Sequence, residues 1–137
     1  MHEAKLTIVA DTNVWLSGIV FGGNPVRIIR LFVDGTVLAV TSEELLTELR
    51  RKVSQLFPLY EPYLGALIAS IREQAMVVPL GTKSVNVSRD LDDNMVIETA
   101  LLGGAGYIVS GDKDLLVLQE HQNVKIVKPA DLLGIIG

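Results

Sequence analysis

Short, almost wholly apolar segments alternate along this sequence with segments of helical periodicity. Helices are predicted after Asn24-Pro25, after the Thr-x-x-Glu capping box of Thr41–Glu44, from Pro62, and over Asp93–Leu102. Such alternation is typical of βαβ units around a parallel sheet whose two faces are both covered. The sequence therefore predicts an α/β protein, a three-layer α/β/α sandwich with a short central parallel sheet. The strand candidates are Leu6–Ala10, Thr36–Val40, Met76–Val78, Tyr107–Ser110 and Lys125–Val127.

The 137 residues contain no linker, repeat or low-complexity tract, so we expect one domain over residues 1–137. The hydrophobic fraction of 49 % excludes a disordered chain. The absence of cysteine excludes a disulfide framework and a cysteine–zinc site, and it fits a cytoplasmic protein. No apolar run reaches the ~20 residues of a membrane span, and residues 1–9 lack the long apolar region typical of a signal peptide, so we do not expect one there.

Five acidic residues from distant segments fall at one predicted edge of the sheet. Strand ends and helix starts share the edge at which parallel sheets bind ligands. Carboxylates crowded there repel one another by roughly 4 kcal/mol per pair at ~4 Å and an effective dielectric of about 20. A site built from carboxylate oxygens therefore indicates Mg²⁺ or Mn²⁺ and in-line displacement at phosphate, one metal ion activating water and another stabilising the leaving oxygen. These residues are Asp11, Glu48, Asp93, Asp112 and Asp114.

Each of these acids also has an ordinary structural interpretation. Asp11, Asp112 and Asp114 are compatible with turns, since aspartate favours turn positions. Glu48 is compatible with an exposed ion pair to Lys52, four residues later on the same helix.

The segment Arg89–Asn94 holds three aspartates and is ambiguous within itself. Asp90 and Asp92 are better explained as helix caps, because acidic residues are favoured at helix N-termini. Asp93 is the preferred ligand because it lies on the same helix face as Ile97, although a cap remains an alternative for it too.

The net charge of −4 does not exclude a nucleic-acid substrate. Setting the five site candidates aside leaves the remaining charges about balanced, at +1. Bound cations would also make the acidic pocket attractive to phosphate groups.

Four segments, in order, resemble the motifs of PIN domains. The similarity is greatest to small prokaryotic PIN proteins, the VapC-like toxins of type II toxin–antitoxin systems. Ser110 stands where many members have threonine, which keeps a hydroxyl in place. The segments are Ile8–Val14, Thr41–Leu49, Arg89–Ala100 and Tyr107–Leu116.

The resemblance implies a PIN-like fold and Mg²⁺- or Mn²⁺-dependent endonucleolytic cleavage of RNA. It also implies a homodimer and an antitoxin protein as partners. At the matching positions the resemblance assigns the catalytic and metal-binding acids to Asp11, Glu48, Asp93 and Asp112, with Asp114 as a frequent fifth. Polar support near the metal is assigned to Thr12, Asn13, Asn94 and Ser110.

Two other functions are alternatives to a ribonuclease. A PIN-like fold that binds RNA or protein without cutting remains compatible with the sequence. A response-regulator receiver is disfavoured, because Asp11 is followed by Thr12 rather than by a second acid. No aspartate follows the strand candidates Thr36–Val40 and Met76–Val78 to accept a phosphoryl group.

Overall fold

The computed structural model describes residues 5–81 and 90–137, so Arg89 lies outside the described residues. The strands are β1 (Leu6–Ala10), β2 (Val37–Thr41), β3 (Met76–Val77), β4 (Tyr107–Val109), β5 (Glu120–His121) and β6 (Val124–Val127). The helices are α1 (Thr12–Val20), α2 (Asn24–Val33), α3 (Glu43–Leu56), α4 (Glu61–Gln74), α5 (Leu91–Gly103), α6 (Lys113–Leu116) and α7 (Pro129–Ile136). A 3-10 turn, Pro58–Tyr60, joins α3 to α4.

The described strands form one sheet in the order β3-β2-β1-β4-β6-β5. All neighbours are parallel except β5, which pairs antiparallel with β6. The mostly parallel α/β fold is thus confirmed, and the β5 edge was not predicted. From β1 the chain builds outward through β2 and β3, then returns to place β4 on the other side of β1. The ends of β1 and β4 therefore flank a topological switch point, where open sheets of this kind bind ligands.

Helices cover both faces of the sheet, and the alternation of side chains along β1 shows how. Ile8 and Ala10 belong to one buried cluster, which includes apolar residues of α1 to α4 and α7. Val9 points to the opposite cluster, which α5 and α6 help to close. Because β1 is apolar on both faces, its position in the middle layer follows from burial alone.

Two predicted helix starts are wrong by one residue. Thr41 is the last residue of β2, and Ser42 is the N-cap of α3, where its side chain accepts a hydrogen bond from the backbone N–H of Leu45. Gly23, rather than Asn24, is the N-cap of α2, with Pro25 in the first turn. Within the described residues, no single helix is long and apolar enough to cross a membrane; only α1 and α2 together, bent by 103°, pass that test of length and composition.

Candidate active site

Two of the predicted acids follow the two strands that flank the switch point. Asp11 comes directly after β1, and its backbone N–H donates to the carbonyl of Val109 in β4 at 3.0 Å. Its side chain is the N-cap of α1, accepting from the Val14 N–H at 3.0 Å. Asp112 follows β4 and is the N-cap of α6, accepting from the Asp114 N–H at 2.8 Å. The strand ends and the caps thus orient both carboxylates at the same edge.

Ser110 links these two acids. Its hydroxyl donates to Oδ2 of Asp11 and accepts from the backbone N–H of Asp112 at 2.9 Å. The Ser110 side chain is fully buried and so is its hydrogen bond to Asp11, which water therefore cannot replace.

The Asp11 carboxyl group is buried, and burial makes its charged form unfavourable because that form loses its contact with water. Burial raises its pKa above the ordinary value for aspartate, and this is the largest effect on the group. The hydrogen bonds from Ser110 and Val14, and the nearby charge of Lys52, act in the opposite direction. A bound cation would favour the charged form in the same way.

The start of α5 supplies the third side of the site. Asp90 is the N-cap and accepts from the Asp92 N–H at 2.9 Å, while Asp93 is buried in the first turn. One oxygen each from Asp90, Asp93 and Asp112 lies within 4.8 Å of the other two. Three converging carboxylate oxygens fit a hard divalent cation such as Mg²⁺ or Mn²⁺.

Glu48 lies apart from that group of three. Among the described residues the group contains neither Glu48, Asp11 nor Asp114. Glu48 accepts two hydrogen bonds from Arg51, one of them from Nε at 3.0 Å, and these bonds lower its pKa. The alternative interpretation of Glu48, an exposed acid paired with Lys52, is wrong, since the Glu48 side chain is only 13 % exposed and its ion-pair partner among the described residues is Arg51.

Asp92 lies beside Glu48, close enough for the two side chains to share a hydrogen bond. Partial burial and then the Glu48 charge raise the pKa of Asp92. The acids therefore form two neighbouring sets, one at the ends of β4 and α5 and one between α3 and α5.

Lys52 is a site residue that the sequence did not reveal. Its ammonium donates to Oγ1 of Thr12 at 3.0 Å and to Oδ1 of Asn13 at 3.2 Å, which ties α3 to the first turn of α1. Thr12 and Asn13, which were expected to be polar support near the metal, both accept hydrogen bonds from this cation. Asn94 is buried beside Asp93 at the start of α5.

Asp90 was not predicted as a member of the acidic group, because a role as helix cap explained an aspartate at that position. The cap prediction is confirmed, and the same carboxylate nevertheless reaches Asp93 and Asp112. No pattern in the sequence separates a cap that also faces a site from one that does not.

Comparisons with known proteins agree with this geometry. The sequence model of the family described as PIN domain matches residues 7–114. The chain is 32 % identical over 134 residues to the uncharacterized protein MJ1680 of Methanocaldococcus jannaschii, covering 92 % of this chain and 84 % of that protein. The crystal structure of VapBC2 from Rickettsia felis, bound to a DNA fragment from their promoter, is similar with a TM-score of 0.60. That similarity covers 88 % of this chain and 97 % of the other. Because the sequence identity is only 12 %, the similarity shows a shared fold and nothing more.

Proposed function

Because the chain belongs to the PIN-domain family, we propose that it is a metal-dependent endoribonuclease that hydrolyses RNA phosphodiester bonds. The observation that carries the proposal is the convergence of Asp90, Asp93 and Asp112 at the switch point between β1 and β4. A metal-assisted reaction at phosphate needs such an all-oxygen site at a ligand-binding edge.

The cation of this proposal is Mg²⁺ or Mn²⁺, held by Asp93 and Asp112 with Asp90 as an added ligand. Bound there, it would supply an activated water for attack on phosphorus and stabilise the leaving oxygen. Asp11 would balance its charge from the buried side, in the orientation that Ser110 and the α1 cap impose. Attack of water on phosphorus with the 3′-oxygen as the leaving group breaks the P–O3′ bond and gives a 5′-phosphate and a 3′-hydroxyl.

Asp114 and Glu48 take supporting roles in the proposed site. The backbone N–H of Asp114 orients the Asp112 carboxylate, and the Asp114 side chain follows it at the same edge. Glu48 stands on α3 next to Asp92, where it would help to orient water rather than bind the first cation directly. Asn94 would act as a polar support within α5.

We also propose that the protein is the toxin of a toxin–antitoxin pair and forms a homodimer. The similarity of fold to the VapBC2 structure supports an antitoxin partner. An apolar surface supports protein contacts, because the exposed Phe21 packs on Phe57, which packs on Tyr60, and Leu59 and Tyr63 nearby are largely exposed. Contiguous apolar surface of this kind is characteristic of interaction sites.

The enzymatic proposal is tested with purified protein, a mixed RNA pool and Mn²⁺, with EDTA as the metal-free control. We expect cleavage by the wild type, and loss of cleavage with EDTA and in Asp11→Asn and Asp93→Asn. Asp34→Asn is the matched control, because Asp34 is exposed at the C-terminus of α2, before β2 begins at the opposite edge. Mapping of the product ends checks for the 5′-phosphate and 3′-hydroxyl.

Cleavage that persists in Asp93→Asn at the wild-type rate would contradict the assignment of the site. A folded wild type that binds RNA and cuts none would favour the non-catalytic PIN-fold alternative. The toxin proposal has a separate test, in which expression of the wild type arrests the growth of a bacterial host and Asp93→Asn does not. Light scattering of the purified chain gives its oligomeric state.

A further inference from the structure

A cleft of about 390 Å³ lies next to the acidic group, at the carboxyl ends of β4 and β6. Gly111, which lines it, directly precedes Asp112, one of the three converging acids. The Ser110 N–H donates to the carbonyl of Val127 at 2.9 Å, which holds the end of β6 against the end of β4. The cleft is therefore one residue away from a candidate metal ligand. Its lining residues are Asn24, Pro25, Gly111, Lys128, Pro129 and Ala130.

The path from the acids to the cleft is open. A Cβ atom added at Gly111 would meet no atom of the described residues within 4 Å, its chain neighbours aside. A strand of nucleotides can therefore pass close to the backbone at this point. Consecutive Cα atoms are about 3.8 Å apart, so the step from Asp112 to Gly111 is shorter than one nucleotide.

The lining of the cleft combines apolar surface with two polar side chains. Pro25, Pro129 and Ala130 offer apolar surface on which a base or a ribose can pack. The Asn24 amide has donors and an acceptor, which suit the edge of a base in single-stranded RNA. Within residues 5–81 and 90–137 the Lys128 ammonium forms no ion pair, so it is available to a phosphate group. The volume is near the lower end of the range of about 300–1,000 Å³ for ligand pockets, which suits one nucleotide.

The charge around the cleft is opposite in sign to that of the acids beside it. Lys128 supplies a full positive charge, and the partial positive charges of the α2 and α7 N-termini add to it. Asp131, in the first turn of α7, accepts a hydrogen bond from the backbone N–H of Lys128 at 3.4 Å, so its carboxylate serves the helix start. The cleft therefore favours an anionic group such as a phosphate.

We propose that this cleft is a substrate subsite, which binds the nucleotide next to the scissile phosphate of a single-stranded RNA. The inference rests on the proposed function and deepens it, because it gives the RNA a defined place beside the acids. Lys128 contacts the phosphate of the bound nucleotide, and its base packs on Pro25 and Pro129 with an edge towards Asn24. The phosphate contact fixes the position of the strand on the acids, and the base contact selects the sequence that is cut.

The test is the binding of a short, fluorescein-labelled single-stranded RNA of mixed sequence, measured by fluorescence anisotropy over a range of salt concentrations. Asp93→Asn is the background for each variant, because it is expected to bind RNA without cutting it. Lys128→Met is expected to weaken binding and to reduce the slope of log affinity against log salt by about 0.7, the value for one phosphate contact on a single strand. Lys125→Met is the matched control and is expected to change neither quantity, because Lys125 is exposed near the other end of β6.

A second variant tests the cleft independently of Lys128. Ala130→Glu places a longer, negatively charged side chain in the cleft from an exposed position at the start of α7, and it is expected to weaken RNA binding as well. Circular dichroism checks that both variants are folded. Unchanged affinity in folded Lys128→Met and Ala130→Glu overturns the subsite, and so does a background protein that binds no RNA.

The base contact has its own measurement, the cleavage of RNAs that differ only in the nucleotides beside the cleavage point. The otherwise wild-type protein is expected to prefer one base there, and Asn24→Ala is expected to reduce that preference. An unchanged preference in Asn24→Ala overturns the base contact.

These outcomes are distinct from those that test the nuclease. In otherwise wild-type protein, Lys128→Met is expected to raise KM more than it lowers kcat, because the phosphate contact is made before and during the reaction. Cleavage with Mn²⁺ whose KM does not change in Lys128→Met overturns the subsite and leaves the nuclease proposal intact. A wild type that cuts no RNA, together with weaker binding in Lys128→Met, overturns the nuclease and leaves the cleft as an RNA-binding site.

Discussion

Replacement of Ser110 by alanine is the sharpest test of how the candidate site is held together. The Ser110 hydroxyl contacts both acids that follow the central strands, donating to Asp11 and accepting from the Asp112 N–H. Ser110→Ala removes both hydrogen bonds, and the one to Asp11 is fully buried, so no water replaces it.

The magnitude follows from these two bonds. A hydrogen bond to a charged group contributes about 1.5–3 kcal/mol, and an ordinary hydrogen bond such as the part-buried one from the Asp112 N–H contributes about 0.5–1.5 kcal/mol. The two terms share one atom and do not simply add, so we expect Ser110→Ala to lower the free energy of unfolding by about 3 kcal/mol. A domain with a total stability of about 5–15 kcal/mol stays folded after such a loss but unfolds at clearly lower denaturant concentration.

Urea unfolding followed by tryptophan fluorescence measures this loss. Trp15 is the only tryptophan of the chain, and it is buried edge-to-face against Phe32 with ring centroids 5.6 Å apart. Ser54→Ala, at a partly exposed position on α3, is the control and is expected to change stability by no more than about 0.5 kcal/mol. A loss below 1 kcal/mol in Ser110→Ala would refute the reasoning that the hydroxyl links the two acids.

Three further predictions concern stability and metal binding. Gly103→Ala places a methyl group against a β2 side chain and is expected to cost about 1–3 kcal/mol, whereas Gly65→Ala, in an open helical position, is expected to stabilise by about 0.5–1 kcal/mol in the same urea assay. The hydrogen bond from Arg72 lowers the pKa of Glu43 in the folded protein. The stability that this ion pair contributes is therefore fully present above the unfolded pKa of about 4.3 and is lost as the pH falls through the lowered folded pKa. Glu43→Gln should flatten the acid side of a plot of the free energy of unfolding against pH. Free Mn²⁺ at a hundred times its Kd should raise the free energy of unfolding by about 2.7 kcal/mol and so raise the melting temperature. Asp93→Asn should abolish this rise in melting temperature.

The parallel strands could be predicted from the sequence because the central ones are placed by burial, whereas the polar edge strand β5 could not. Segments such as Leu6–Ala10 are apolar on both faces, and that pattern suits a middle layer. Helices α1, α6 and α7 were not predicted. Helix α1 is apolar almost all round and directly continues a strand, so its periodicity does not stand out.

The site could be predicted only in part. Asp11 and Asp112 follow from topology, because the ends of parallel strands meet at one edge. The separation of Glu48 from the group of three depends on the rotation of α3 against α5 and on side-chain rotamers. Those are tertiary quantities, and the same is true of the reach of Lys52 to α1. The spacing of four residues on one helix suggested Lys52 as a partner of Glu48, but in the structure Glu48 pairs with Arg51.

A capping role and a ligand role are compatible for these aspartates, although the sequence pattern suggests a choice between them. Asp11, Asp90 and Asp112 are the N-caps of α1, α5 and α6, and each uses one carboxylate oxygen for its cap. An ionised carboxylate has two oxygens and about four lone-pair sites, so a cap leaves capacity for a cation. The caps also restrict each side chain to one orientation before any ion binds.

Three helix N-termini therefore surround the acids, and their partial positive charge offsets part of the repulsion among the carboxylates. This double use decides which substitutions can be interpreted. Alanine at Asp11, Asp90 or Asp112 would remove a cap worth about 1 kcal/mol together with a candidate ligand. Asparagine caps a helix about as well as aspartate and removes only the charge. If the asparagine variants lose Mn²⁺ binding while their free energy of unfolding is unchanged, the carboxylate charge serves to bind the metal ion. If their free energy of unfolding falls as well, the charge also serves to hold the fold together.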